Sequence, residues 1–226
     1  MIHRLIGVAI AAALLAAPLP TRAQGTSATY VISYIEVAPS GRNAARLMLR
    51  ALREAARKEP GNNGFEVLQR VGQPHFAILE SWADAKAQST HAGAPASTQF
   101  RDALKPLLAA PTDERVHSGF AVNPPKPSGA STVYAITHVD LIGAKKDEGL
   151  AALKQLSTDS ANEPGNLRFN LWQQGNRPNH LTVIEAWRGK SALAAHELAE
   201  HTRKFRDALL PMSGSLYDQR LYQAID

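Results

Sequence analysis

Two periods of apolar residues alternate along this chain, and the switches between them mark its elements. Tyr30-Val31-Ile32-Ser33-Tyr34-Ile35-Glu36-Val37 is rich in β-branched and aromatic residues and predicts a strand, as does Tyr134 to Leu141. After Pro39-Ser40-Gly41 the apolar positions become Ala44, Leu47, Met48, Ala51, Leu52 and Ala55, the spacing of an amphipathic helix. Glu59-Pro60-Gly61-Asn62 ends that helix, because proline cannot continue the hydrogen-bond ladder and Gly-Asn suits a left-handed reversal. Phe65 to Gln69 and Pro74 to Trp82 read as strands joined at Gly72-Gln73; Leu167 to Gln173 and His180 to Trp187 repeat them, joined through Gly175 to Pro178. A second helical stretch runs unbroken from Lys190 to Leu210, whereas its counterpart Ala83 to Leu108 is interrupted by Gly93 and Pro95. A last strand, Arg115 to Val122 or Leu216 to Ile225, closes each unit.

The chain therefore contains itself twice. Glu59-Pro60-Gly61-Asn62 recurs as Glu163-Pro164-Gly165-Asn166, an offset of 104 (163 − 59), and Phe100-Arg101-Asp102-Ala103-Leu104 recurs as Phe205-Arg206-Asp207-Ala208-Leu209, an offset of 105 (205 − 100). One inserted residue between Gln174 and His180 reconciles the two. Glu80-Ser81-Trp82 matches Glu185-Ala186-Trp187, and His91 matches His196. A period of roughly 100 residues is a small domain, not a solenoid unit. Each copy has the order β-α-β-β-α-β, so the expected fold class is α+β: two tandem ferredoxin-like domains, residues 28–122 and 131–226. A Pro-rich linker, residues 123–130, is extended enough to let the copies pack sheet to sheet as an α+β barrel within one chain, an intramolecular pseudo-dimer.

Composition alters this picture mainly at the N-terminus. A basic start at Arg4, an apolar run from Leu5 to Ala17 and small residues around Thr21-Arg22-Ala23 predict a signal peptide over residues 1–23, hence a periplasmic or secreted protein. The run is short of the roughly 20 residues of a membrane span, so no stable membrane insertion is expected after cleavage. With no cysteine, each copy must stand on its core without disulfides. Net charge is +5 for the whole chain and +3 (23 Lys+Arg − 20 Asp+Glu) without the leader, which argues for no nucleic-acid partner. The basic stripe Arg42, Arg46, Arg50, Arg53 and Arg57 reads as a solvated helix face.

The run Glu163-Pro164-Gly165-Asn166-Leu167-Arg168-Phe169, with Glu185-Ala186-Trp187 and a His nine residues after that Trp, resembles the antibiotic-biosynthesis monooxygenase (ABM) superfamily of dimeric α+β barrels. The resemblance spans both copies and is stronger in the second. It implies a cofactor-independent oxidation in which a small phenol or quinol loses a proton and the anion reduces dioxygen. The protein then has to hold a ring by stacking, accept one proton near neutral pH and stabilise an anion. In the second copy Phe169, Trp172 and Trp187 on strands and His196 and His201 on the following helix are expected to converge between sheet and helices. His196 is the candidate base, with Asn170 or His138 as anion donor and Trp172 and Trp187 as stacking walls; Trp82 and His91 are the first-copy equivalents. Each has a structural alternative in core or helix packing, and Asn170, Trp172 and His201 are replaced by Glu66, Leu68 and Ala96 in the first copy.

His196-Glu197-Leu198-Ala199-Glu200-His201 superficially suggests a zinc helix, but that motif needs two His at i and i+4. On a continuous helix a spacing of five rotates the second ring by about 140° from the first, so no metal is expected. The Asn on the first strand that marks haem-degrading relatives is missing, Ser33-Tyr34-Ile35 and Thr137-His138-Val139 standing there instead. Two alternatives stand beside the oxidation: a non-catalytic binding or scaffold module for small hydrophobic or aromatic ligands, and, against the missing Asn, a haem-degrading enzyme in which His138 would ligate iron; further self-association is left open.

Overall fold

A computed structural model describes residues 27–225; the expected signal peptide lies outside them. The first copy forms β1 (Thr29–Glu36), α1 (Arg42–Ala56), β2 (Asn62–Arg70), β3 (His75–Trp82), α2 (Ala85–Gly93), α3 (Pro95–Leu104) and β4 (Asp113–Ala121). The second repeats the order as β5 (Val133–Asp140), α4 (Lys146–Ala161), β6 (Asn166–Gln174), β7 (His180–Trp187), α5 (Lys190–Leu198), α6 (Glu200–Leu209) and β8 (Asp218–Ala224). All pairings are antiparallel, and the strands close in the order β1-β3-β2-β8-β5-β7-β6-β4. Each copy thus contributes four adjacent strands. The seams are β2–β8 and β4–β6, so every sheet edge finds a partner in the other copy.

Alternation along the strands creates three cores. One face of each sheet packs on its own helices, around Leu49, Phe65 and Trp82 in the first copy and around Leu153, Phe169 and Trp187 in the second. The opposite faces meet inside the barrel, where Ile32, Leu68, Leu79, Ile136, Trp172 and Tyr222 fill the interior. The linker follows β6: the Lys126 backbone amide donates to the Leu167 carbonyl (2.9 Å), and the Asn123 amide donates to the Asn170 side-chain oxygen (2.9 Å).

Local expectations are corrected at two places, α1 and the second helical stretch of the second copy. The buried face of α1 carries Ala45, Leu49, Leu52 and Ala56, while Leu47 is 66% exposed. An alanine-rich helix offers more than one apolar stripe, and packing on β2 selects among them. The basic stripe on that helix is also not simply solvated, since Arg53 donates to the Ile225 carbonyl and Arg57 to the Phe65 carbonyl. The second correction concerns the stretch from Lys190 to Leu210, which is broken at Ala199 (φ −60°, ψ 145°) as its counterpart is at Ala94 (φ −64°, ψ 148°). Each alanine's amide caps the carbonyl of the buried histidine three residues before it, His91 or His196. The break therefore belongs to the fold and needs no proline.

The Glu-Pro-Gly-Asn turns do require glycine. Gly61 and Gly165 lie at φ +81° and +85°, and a Cβ on either would stand 2.7 Å from the Cβ of Ala87 or Ala192. Gly165→Ala is expected to lower stability by more than about 1 kcal/mol, read from the urea midpoint.

Candidate active site

The same row of four side chains is built in each copy between the sheet and the helix pair. In the first, the Trp82 indole N–H donates to Glu80 Oε2 (2.8 Å), His91 stacks on Trp82 (4.7 Å between centroids), and His91 Nδ1 meets Glu59 Oε2 (2.9 Å). His91 Nε2 lies 3.9 Å from Glu80 Oε2, and Phe65 meets the imidazole edge-on. In the second, Trp187, Glu185, His196, Glu163 and Phe169 repeat the arrangement, with His196 Nδ1 2.6 Å from Glu163 Oε1 and the Trp187–His196 stack at 4.6 Å. Strand ends supply the Glu and Trp, the helix before the break supplies the His, and the Glu-Pro-Gly-Asn turn supplies the outer Glu.

This setting alters the acid–base chemistry. Burial pushes Glu80 up from its ordinary value of 4.5 to about 7, against the Trp82 hydrogen bond and with help from the charges of Glu114 and Glu59. A carboxyl titrating there is matched to proton transfer at neutral pH. His196 is shifted the other way, lowered by burial despite its bond to Glu163.

The copies differ in the space beside the row. In the first, a cavity of about 310 Å³ opens over His91 and Glu80, walled by Ile35, Leu52, Ile78, Phe100 and Leu104, with Ser33 and Ser97 as further polar groups and Thr112 and Glu114 at its rim. In the second, strand register aligns Gln219 with Thr137 as Glu114 aligns with Ser33, so Tyr217 takes the place of Thr112. Its ring packs against the second-copy core, which includes Phe205, Leu209 and Met212, and lies 5.4 Å beneath the Arg206 guanidinium. A larger open groove of about 780 Å³ follows the seam between Arg53, Arg57 and the linker. It contains no histidine, and its Glu66 is already paired with Arg168.

The model of the family described as antibiotic biosynthesis monooxygenase matches residues 29–103 and again 132–208. The chain belongs to the antibiotic biosynthesis monooxygenase family. YcnE of Bacillus subtilis strain 168, whose name assigns it provisionally to the monooxygenases, is 32% identical over 82 residues, covering 36% of this chain and 86% of YcnE. Solved structures share the architecture over nearly the whole length. One from Fusobacterium nucleatum, also titled as a monooxygenase, covers 89% of this chain and 94% of its own at 15% identity and a TM-score of 0.81. An anthrone oxidase-like protein covers 90% and 93% at 11% identity, with a TM-score of 0.69. At such identities the likeness is one of fold.

Within this ABM chain the residues picked from sequence fall into three places. Phe169, Trp187, His196 and His201 do converge beside the second helix pair, as Trp82 and His91 do beside the first. Trp172 does not join them. Side chains alternate along β6, so it faces the barrel interior, 4.9 Å from the Tyr30 ring. Asn170 shares that interior face, and its oxygen is occupied by the linker amide of Asn123. His138 lies elsewhere in the barrel, bonded to the Tyr34 hydroxyl (2.8 Å) and close to Arg115 and His180. Burial, then the Arg115 charge, lowers it to about 3, so it stays neutral as a hydrogen-bonding group. Asn170 and His138 thus lie on the barrel face of the sheet, opposite the face that carries the Phe169, Trp187 and His196 cluster. The carboxylates Glu59, Glu80, Glu163 and Glu185 join the tryptophans and histidines in these rows without any signal beyond their place in the segments that define the repeat.

Proposed function

We propose that this chain is a monooxygenase for a small phenol or quinol, with the chemistry in the first copy. What supports this reading is the cavity over the Glu59–His91–Glu80–Trp82 row, together with membership of the family. A single aromatic ring fits a volume of about 310 Å³ with apolar walls. Glu80 takes the substrate hydroxyl's proton, and His91, oriented through Nδ1 by Glu59, places Nε2 toward the same carboxylate and stabilises the charge that develops. The phenolate then supplies the electrons: a quinol and dioxygen give a hydroxyquinone and water, one oxygen atom entering the ring and the other leaving as water. The walls exclude bulk water from the anion while the rim at Thr112 and Glu114 admits substrate. Export is part of the proposal and rests on the apolar run from Leu5 to Ala17; the mass of the mature protein tests it.

An oxygen electrode with hydroquinone and anthrone as probes tests the oxidation. Tight binding of both with oxygen uptake at the uncatalysed rate would instead favour a binding module. The indole bond gives a finer check. Trp82→Phe removes the donor that holds the Glu80 pKa down, so the acidic limb of the kcat/KM profile should move upward by about 1 pH unit, the worth of one hydrogen bond to a charged group.

A further inference from the structure

We propose that the second copy holds a divalent transition-metal site of the zinc kind, formed by Glu163, His196 and His201. On an unbroken helix the two imidazoles would point apart, but the extended Ala199 lies between them and turns the start of α6 back toward α5. His196 Nδ1 and His201 Nε2 consequently reach the same oxygen, Glu163 Oε1, at 2.6 and 2.8 Å, and the three ligand atoms lie within 4.8 Å of one another. The expectation that a five-residue spacing forbids a shared ligand is thereby overturned. Tetrahedral bonds of about 2.0–2.1 Å place neighbouring ligand atoms about 3.3 Å apart, so an ion is admitted when the carboxylate oxygen withdraws from the two nitrogens by roughly 0.5–0.7 Å and the imidazoles adjust to it.

Two further observations favour a metal over a plain hydrogen-bond cluster. Glu185 Oε2 stands 3.5 Å from the other ring nitrogen of His196 and is itself fixed by the Trp187 indole, the carboxylate–histidine support that orients metal ligands. The side chains of His201 and Glu163 also keep 27% and 13% exposure, which gives an ion a way in and leaves a fourth position for water. Two imidazoles and one carboxylate are a borderline donor set that suits Zn²⁺ better than Mg²⁺ or Ca²⁺. The first copy is a natural control, because Glu59 and His91 are present but Ala96 replaces His201. The site is separate from the proposed oxidation, so either reading can fail alone.

Titration of untagged full-length protein with Zn²⁺ against a chromophoric chelator should find one tight equivalent, accompanied by a change in the emission of Trp187, which stacks on the ligand His196. His201→Ala should weaken it at least 100-fold and Glu185→Gln 10–100-fold, both with an unchanged circular dichroism spectrum. His75→Ala, on β3 of the first copy, should leave it intact. Equal zinc affinity in wild type and His201→Ala, or no binding by wild type at micromolar zinc, would overturn the proposal.

Discussion

Glu80→Gln is expected to reduce turnover by about 10²–10⁴-fold, the usual contribution of a general base, while making the protein more stable at pH 8. The substitution keeps the side chain's shape and an oxygen to accept from Trp82, but removes the group that titrates. Glu80 has a folded-state pKa of about 7 against an ordinary 4.5, because its burial penalises the charged form. Between those values the folded protein binds the proton and the unfolded chain does not. The contribution to stability is thus fully present below pH 4.5 and is lost as pH rises through about 7. The gap corresponds to on the order of 3 kcal/mol. Urea melts of wild type and variant should coincide near pH 4 and separate toward pH 8 with the variant above. Wild-type activity at pH 8 retained by the variant would remove Glu80 from the chemistry. Parallel stability profiles would show that its carboxyl is not held neutral by the fold.

A gain in stability joined to a loss of activity is the behaviour of a functional group kept at a structural cost. In the second copy Tyr217 stands at the corresponding register, and the open depression of about 640 Å³ against Tyr217, Arg206 and Leu209 is lined by neither Glu185 nor His196, so the two rows differ in what lies beside them. Sequence identity between the rows says nothing about that difference. It arises at Thr112 and Tyr217, just before each last strand, where the sequence pattern predicts neither register nor cavity.

The architecture was largely legible because each copy tests the reading of the other: period-two and helical runs recur at the same offset and end at the same turns. Closure of the barrel followed from the same logic, since a four-stranded sheet with helices on one face leaves the other to be covered. The site was less legible. Trp172 and Phe169 are three residues apart on one strand, and strand alternation places them on opposite faces, in different cores. A ligand shared by His196 and His201 is excluded only on a continuous helix, whereas the chain breaks at Ala199, whose amide caps the His196 carbonyl, with no glycine or proline to signal it. Glu80 and Glu185 passed as repeat markers, because a strand-end Glu looks solvated until the indole and imidazole that enclose it are in place.

Thr112→Tyr should abolish the oxidation almost completely while leaving the fold unchanged. The replacement copies into the first half the residue that the second half already carries at this register, where Tyr217 packs against the core that includes Phe205, Leu209 and Met212. Their first-copy equivalents Phe100 and Leu104 line the cavity, and Arg101 stands there as Arg206 does over Tyr217. A tyrosine ring entering a space of about 310 Å³ leaves too little room for a second aromatic ring. Thr112 is exposed, so the change in stability should stay within about 0.5 kcal/mol. Loss of oxygen uptake with an unshifted melting curve would place catalysis in the first-copy cavity and separate occlusion from misfolding. Full activity in Thr112→Tyr, with an unshifted melting curve, would exclude that cavity as the site of oxidation and turn attention to the groove along the linker.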